Sequence, residues 1–108
     1  MESQKIQEAI LELKKRLIIK FGSATELHLF GSAARGEYGS LSDIDILVLV
    51  PLEVTNSIEE EIFNLAYDVE LNCNVIFGII VYSKAFWKSP QCMCMPIYQS
   101  IKNEGIAV

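Results

Sequence analysis

The chain has 108 residues, of which 51% are hydrophobic and 21% are charged, and it carries a formal net charge of −5. This length and apolar content are typical of one folded unit with one buried core, so residues 1–108 are predicted to form a single domain. The excess of acidic residues opposes broad binding to a phosphate backbone, which depends on many lysine and arginine contacts. No direct binding of nucleic acid is therefore expected.

The sequence shows neither a membrane span nor an apolar signal segment. Its longest apolar run, Val75 to Tyr82, is far shorter than the roughly 18 residues that a spanning helix requires. The polar N-terminus and three cysteines without a C-x-x-C pair suit a reducing compartment. The predicted location is therefore the cytoplasm, without membrane contact.

The first half of the chain is predicted to contain one helix and two strands. Apolar residues three and four positions apart predict a helix over residues 3–21, which Gly22 ends. Strands are predicted at Glu26 to Phe30 and at Ile44 to Val50, with a loop rich in glycine and serine between them. The pattern leaves the relative direction of these two strands open.

The second half continues the alternation of helices and strands. Ser57 and Glu60 form a capping-box pattern at the start of a helix that is predicted to fade near Asn72. A buried strand is predicted at Val75 to Tyr82, and a last helix starts at Pro96. This order of elements predicts the α/β class, with a small mixed β-sheet covered by helices.

Two of the chain's three aspartates, Asp43 and Asp45, are separated by a single residue at the start of an otherwise apolar strand. Side chains two apart on a strand point to the same face, so the two carboxylates face each other. Two like charges about 4 Å apart repel by roughly 4 kcal/mol at an effective dielectric constant of 20, and a divalent cation would offset this repulsion. Oxygen ligands of this kind suit Mg²⁺ better than Zn²⁺.

A glycine and a serine form a turn before this acidic pair. The missing side chain of Gly31 lets backbone amides approach a phosphate, and the hydroxyl of Ser32 adds one hydrogen bond. Arg35 supplies a cation between this turn and the aspartates. A phosphate pocket on one side and a metal pocket on the other imply a nucleoside triphosphate bound as its magnesium salt.

The combined motif occupies residues 30–37, with the sequence FGSAARGE, and residues 42–48, with the sequence SDIDILV. It strongly resembles the signature of the nucleotidyltransferase superfamily related to DNA polymerase β. The size of the chain is similar to that of the minimal nucleotidyltransferases, which are the partners of HEPN-domain toxins. The resemblance implies the polymerase β-like nucleotidyltransferase fold.

The resemblance also implies a reaction and the residues that support it. Members of the superfamily transfer a nucleoside monophosphate to an acceptor hydroxyl with magnesium and release pyrophosphate, and minimal members that act as antitoxins adenylylate a tyrosine of their HEPN partner. This chain is accordingly predicted to transfer AMP from ATP to a partner protein, as the antitoxin of a HEPN toxin. The residues predicted to bind the nucleotide are Gly31, Ser32, Arg35 and Ser42, and those predicted to bind magnesium and to act in catalysis are Asp43 and Asp45.

One feature departs from the family pattern. Active members carry a third carboxylate on a later strand, where it completes the metal site that activates the attacking hydroxyl, and the predicted strand 75–82 has no acidic residue. Asp68 and Glu70 precede that strand, and Glu70 is predicted to be the third catalytic carboxylate as the better substitute, with a solvated helix end as the alternative. Without a third carboxylate, nucleotide binding would survive and turnover would not. The chain would then be a binding module that neutralises its partner by forming a complex.

Three other groups of residues are interpreted as structural. His28, the only histidine, is predicted to lie on the surface or a sheet face, because no second ligand or nucleophile is near it in sequence. The aromatic residues of the C-terminal third are predicted to form core or an interface. Residues 92–95 are predicted to pack rather than to bind metal. Whether the chain forms an oligomer is left open.

Overall fold

The computed structural model describes residues 2–36 and 43–108, so Ser42, one of the predicted nucleotide-binding residues, lies outside the described residues. The helices in these ranges are α1 (Glu2–Phe21), α2 (Gly31–Ala34), α3 (Asn56–Cys73), α4 (Lys84–Trp87), α5 (Pro90–Met93) and α6 (Pro96–Glu104). The strands are β1 (Glu26–Leu29), β2 (Ile44–Val50), β3 (Phe77–Ser83) and β4 (Ile106–Ala107). Within the same ranges, no helix combines the length and the apolar character that crossing a bilayer requires.

The strands form one mixed sheet in the order β3-β2-β1-β4. β1 is antiparallel to both of its neighbours, whereas β2 and β3 are parallel and are connected through α3. The predicted class, a small mixed sheet covered by helices, is confirmed. The direction that the sequence left open is antiparallel: β1 and β2 pair with Leu27 opposite Val48.

The sheet is covered on both faces, and β2 contributes to both layers. Helices α1 and α3 pack on one face, where the largest cluster of buried side chains includes Leu13, Leu17, Ile46, Val48 and Ile62. On the other face, Leu47 and Leu49 pack with Ile101 of α6 and with half-buried aromatic side chains. This arrangement explains why β2 is apolar at almost every position, since both of its faces are buried.

Several details of the secondary structure differ from the predictions for local reasons. α3 is capped by Thr55, whose hydroxyl accepts the Ile58 N–H at 3.2 Å, so the predicted capping box at Ser57 is wrong. β3 starts at Phe77 because Asn74 adopts a left-handed conformation with φ of 55° at the end of α3. β4 was not predicted because two residues are too short to show a strand period.

Candidate functional site

The turn between β1 and α2 lies directly against Asp45. The Phe30 N–H donates to the Asp45 carbonyl oxygen at 3.1 Å, which ties the end of β1 to the start of β2. Gly31 follows with φ of +62°, a conformation that favours glycine. A Cβ atom at Gly31 would also collide with the Asp45 Oδ2 atom. Two independent requirements therefore place a glycine at this position.

The second wall of the site is Gly78 on β3, which the sequence analysis missed. The parallel register sets Asp45 opposite Gly78. A Cβ atom at Gly78 would lie 2.9 Å from Asp45 Oδ1 and 3.8 Å from Asp43 Oδ2, so both carboxylates converge above this glycine. The available signal was an isolated glycine inside an apolar strand, which often marks a close approach to the backbone.

The two carboxylates fit a divalent cation by the chemistry of their donor atoms. Burial, followed by the charge of Asp43, raises the pKa of Asp45 above its ordinary value. Among the residues that the structure describes, no hydrogen bond or ion pair engages either carboxylate. Their hard oxygen atoms suit Mg²⁺. In the described ranges, however, no third histidine, cysteine, aspartate or glutamate lies with them in a group that could hold a metal ion.

The raised pKa of Asp45 leads to a prediction about pH and stability. The folded protein holds this proton more tightly than the unfolded chain, so folding stability falls as the pH rises from the ordinary carboxyl value of 3.8 through the raised value. We therefore expect Asp45→Asn to gain stability relative to wild type as the pH increases over this interval, without metal present. Urea unfolding of both proteins across the interval measures the difference, and a difference that does not change with pH would contradict the assignment.

The structure ties Arg35 to the C-terminal helix. Its Nη1 atom donates to Glu104 Oε2 at 3.1 Å, and both side chains are 48% exposed. An exposed ion pair of this kind contributes only about 0.2–1 kcal/mol. A bound phosphate could therefore compete with Glu104 for the guanidinium group at little energetic cost.

Glu70 has a defined structural partner. Its Oε2 atom accepts the Phe77 N–H at 2.7 Å, where β3 begins one residue before Gly78. Phe77 pairs with Ile44, which stands between the two aspartates. This bond fixes the start of β3, the strand that carries Gly78 as the second wall of the site. The assignment of Glu70 as the third catalytic carboxylate stays a prediction, and it requires the carboxylate to leave the Phe77 amide.

Two substitutions of Glu70 separate these functions. Glu70→Gln keeps an oxygen that can accept the Phe77 N–H but removes the charge, whereas Glu70→Ala removes both. We expect transferase activity to fall a hundredfold or more in both variants, because a general base contributes about 10²–10⁴-fold, and folding stability to fall only in the alanine variant, which loses the bond to Phe77. Activity that stays within about threefold of wild type in the glutamine variant would contradict the catalytic assignment and leave Glu70 with the structural role of holding the start of β3.

The structure also places the residues interpreted as structural. His28 Nε2 lies 3.0 Å from Glu26 Oε1 near the sheet surface. The aromatic residues form a chain of ring contacts with centroid separations of 5.1 Å for Tyr82–Phe86, 6.1 Å for Tyr82–Trp87 and 5.0 Å for Trp87–Tyr98. Tyr82 and Trp87 pack against the second buried cluster, which confirms their predicted role in packing.

Comparisons with known proteins identify the family of this chain. Residues 4–106 match the nucleotidyltransferase domain family. A Methanocaldococcus jannaschii protein, provisionally named protein adenylyltransferase MJ0141, is 31% identical over 105 residues, which cover 95% of this chain and 98% of the relative. The match spans nearly the full length of both proteins.

Solved structures share the fold at lower sequence identity. A chain of a toxin–antitoxin crystal structure with AMP-PNP superposes with a TM-score of 0.55 at 20% identity, covering 88% of this chain and 68% of that chain. A chain of a mutant of the toxin–antitoxin MntA–HpeT gives a TM-score of 0.55 at 19% identity, covering 94% and 70% respectively. The fold and the family match define a nucleotidyltransferase-type protein. The chain belongs to the nucleotidyltransferase domain family, as the resemblance of its signature predicted.

Proposed function

We propose that this chain is a magnesium-dependent nucleotidyltransferase that transfers AMP from ATP to a hydroxyl of a partner protein, as the antitoxin of a HEPN toxin. The observation that carries the proposal is the convergence of the Asp43 and Asp45 carboxylates above Gly78, beside the Gly31 turn. The name of the M. jannaschii relative supports a protein acceptor and an adenylyl group. The toxin–antitoxin structure with AMP-PNP, which shares the fold, supports an adenine nucleotide and a toxin partner. The chain would act as a single domain in the cytoplasm.

In this proposal the residues around the turn bind the nucleotide. Asp43 and Asp45 would hold the magnesium ion, which when bound neutralises negative charge on the phosphates. Gly31 keeps side-chain atoms out of the space beside Asp45, and the Ser32 hydroxyl would donate to a phosphate oxygen. Arg35 would exchange Glu104 for a phosphate, and Ser42 is assigned to nucleotide binding from its motif position.

The proposed reaction is one displacement at the α-phosphorus of ATP. The acceptor oxygen forms a bond to this phosphorus while the bond to the oxygen that bridges to the β-phosphate breaks, and pyrophosphate leaves with that oxygen. The hydroxyl proton passes to a base, for which Glu70 is the predicted carboxylate. The fixed positions of Asp43 and Asp45 orient the triphosphate so that the acceptor can attack in line with the leaving group.

A second function is favoured by one specific observation. Gly78 occupies the position on β3 from which a side chain would reach both aspartates, and glycine offers no carboxylate there. A protein with only two acidic ligands can bind a nucleotide and its metal while it loses the group that activates the acceptor. Such a protein would neutralise its partner by forming a stable complex without turnover.

Labelled nucleotides distinguish the two functions. The chain is incubated with magnesium, a HEPN-domain partner protein and ATP that is labelled at either the α- or the γ-phosphate. Transferase activity puts α-label but no γ-label on the partner, and the double variant Asp43→Asn with Asp45→Asn abolishes both the label and protection from the toxin. Protection that persists in the double variant, with no label transferred by wild type, would contradict the transferase proposal and support complex formation.

A further inference from the structure

The outer edge of β3 is a free strand edge. In the sheet order β3-β2-β1-β4, β3 has a hydrogen-bonded neighbour on one side only. The Ile44 N–H donates to the Ile76 carbonyl at 2.8 Å, so the even-numbered residues along β3 direct their backbone groups toward β2. The N–H and C=O groups of Ile79 and Val81 therefore point away from the sheet.

This edge lacks the features by which proteins usually prevent strand pairing. None of the seven residues of β3 is charged or a proline. At its start, the Phe77 N–H is already bonded to the Glu70 carboxylate, but in the described part of the chain no bond engages the outward backbone groups of Ile79 and Val81. Exposed edges without charges, prolines or a covering element are templates for another strand.

One side of α3 stands above this edge. Glu61 forms an ion pair with Lys20 of α1 at 3.6 Å, so its side of α3 faces α1. Glu70 lies nine residues later, which is about 180° around the helix, since successive residues are about 100° apart. Because Glu70 bonds to Phe77 at the outer edge of β3, the side of α3 opposite to α1 lies over the free edge.

Two aromatic residues occupy that same side of α3. Phe63 lies about 20° and Tyr67 about 60° from Glu70 around the helix. The exposed fractions are 45% for Phe63 and 59% for Tyr67. These two side chains form an apolar ridge beside the free edge of β3, and we call it the α3 ridge.

The ridge and the middle of the strand edge lie at the same level. Tyr67 precedes Glu70 by about 4.5 Å along the helix, and Phe63 precedes it by about 10 Å. Glu70 is bonded to Phe77, so Phe77 marks the level of Glu70 on the strand. At about 3.3 Å per residue, a distance of about 4.5 Å along β3 from Phe77 reaches Gly78, and a distance of about 10 Å reaches Ile80. A two-fold axis near the middle of the edge would therefore also pass between two copies of the ridge.

We propose that two copies of this chain pair antiparallel through the free edge of β3, with the α3 ridges in contact across the two-fold axis. Centring on Ile80 sets Ile79 of one copy opposite Val81 of the other and forms four new N–H···O bonds. The interface is isologous, because the same surface serves both copies. The acidic residues Glu59 and Glu60 at the start of the ridge lie at opposite ends of the pair and do not repel each other closely.

The area of this surface fits a dimer of weak affinity. With the exposed fractions above, the two ridge side chains offer roughly 200 Å² of surface per copy, since such side chains bury about 150–250 Å² each. The exposed parts of the largely buried Ile79, Ile80 and Tyr82 and the edge backbone add to this. The sum stays below the roughly 800 Å² per partner of a standard interface, which predicts a weak dimer that forms at high micromolar concentration.

Sedimentation of the full chain from low to high micromolar concentration tests the proposal. We expect the mass to rise from one chain to two, and the amides of Ile79 and Val81 to exchange more slowly with deuterium in the dimer. Tyr67→Glu places a charge in the ridge, and Ile79→Pro removes an outward N–H that β2 does not use, so both variants should stay monomeric. Ile19→Glu is the matched control on exposed apolar surface of α1, and it should dimerise like wild type.

The outcomes that overturn the proposal are distinct. A wild-type chain that is monomeric at every concentration excludes pairing between copies, as does a dimer that persists in Tyr67→Glu. Circular dichroism shows whether the Ile79→Pro variant is folded. If it is not, sedimentation of Tyr67→Glu and the exchange data decide whether two copies pair through this edge. Protection of Ile79 and Val81 that arises only when the toxin is added would assign this edge to a strand of the toxin instead.

Discussion

Replacing Asp45 by asparagine is expected to lower nucleotidyl transfer by about 10³-fold or more, because it removes a proposed metal ligand at the centre of the site. The same change also removes a partly buried negative charge beside Asp43 from the metal-free protein. Burial and the charge of Asp43 both disfavour the ionised form of Asp45 and raise its pKa. We therefore expect Asp45→Asn to be inactive and at the same time to unfold at a higher temperature than wild type at neutral pH. Initial rates and thermal unfolding of the same samples measure both effects.

The combination of the two effects distinguishes a functional residue from a structural one. If Asp45 served mainly to hold the fold together, its replacement would lower the melting temperature as well as the activity. Asp68→Asn is a control in which the chain's remaining aspartate, which lies exposed on α3, loses its charge at a distance from the site. We expect that variant to retain activity within about twofold, in line with surface substitutions away from special features.

Gly31→Ala is expected to abolish nucleotide binding and to destabilise the fold. The alanine would have to adopt φ of +62°, which costs about 1–2 kcal/mol. In addition, its Cβ atom would occupy the space of Asp45 Oδ2, so either the carboxylate or the turn must move. Thermal unfolding and equilibrium binding of ATP with magnesium measure the two consequences.

Gly36→Ala is the matched control for this prediction. Gly36 has φ of +73°, so alanine has the same backbone penalty there, but among the residues that the structure describes no heavy atom lies within 4 Å of its added Cβ. The control should lose similar backbone stability and still bind nucleotide. Equal losses of binding in both variants would show that the contact between Gly31 and Asp45 does not matter for the site.

Local patterns were sufficient to predict most of the fold. The spacing of apolar residues placed α1, and the almost continuous apolar sequence of β2 indicated a strand covered on both faces, which the buried side chains of Leu47 and Val48 confirm. The paired aspartates could be located because a strand period of two puts them on one face. The register of β3 against β2 is a long-range property, so the sequence could not show that Gly78 lies beneath Asp45.

Glu70 illustrates a second limit of the sequence. Its position near a helix end was compatible with either a catalytic carboxylate or a solvated one, but its carboxylate accepts the Phe77 N–H in the structure. The left-handed conformation of Asn74 turns the chain so that this contact can form. Side-chain bonds of this kind depend on the geometry of a helix end, which apolar periodicity does not encode.

Calorimetric titration of the chain with ATP tests the central claim that Asp43 and Asp45 form a site for a metal-bound nucleotide. We predict a heat of binding when magnesium is present, its loss when magnesium is replaced by a chelator, and its loss in the double variant Asp43→Asn with Asp45→Asn. Binding that is unchanged in that double variant, or no binding of any common nucleoside triphosphate with magnesium, would contradict the account.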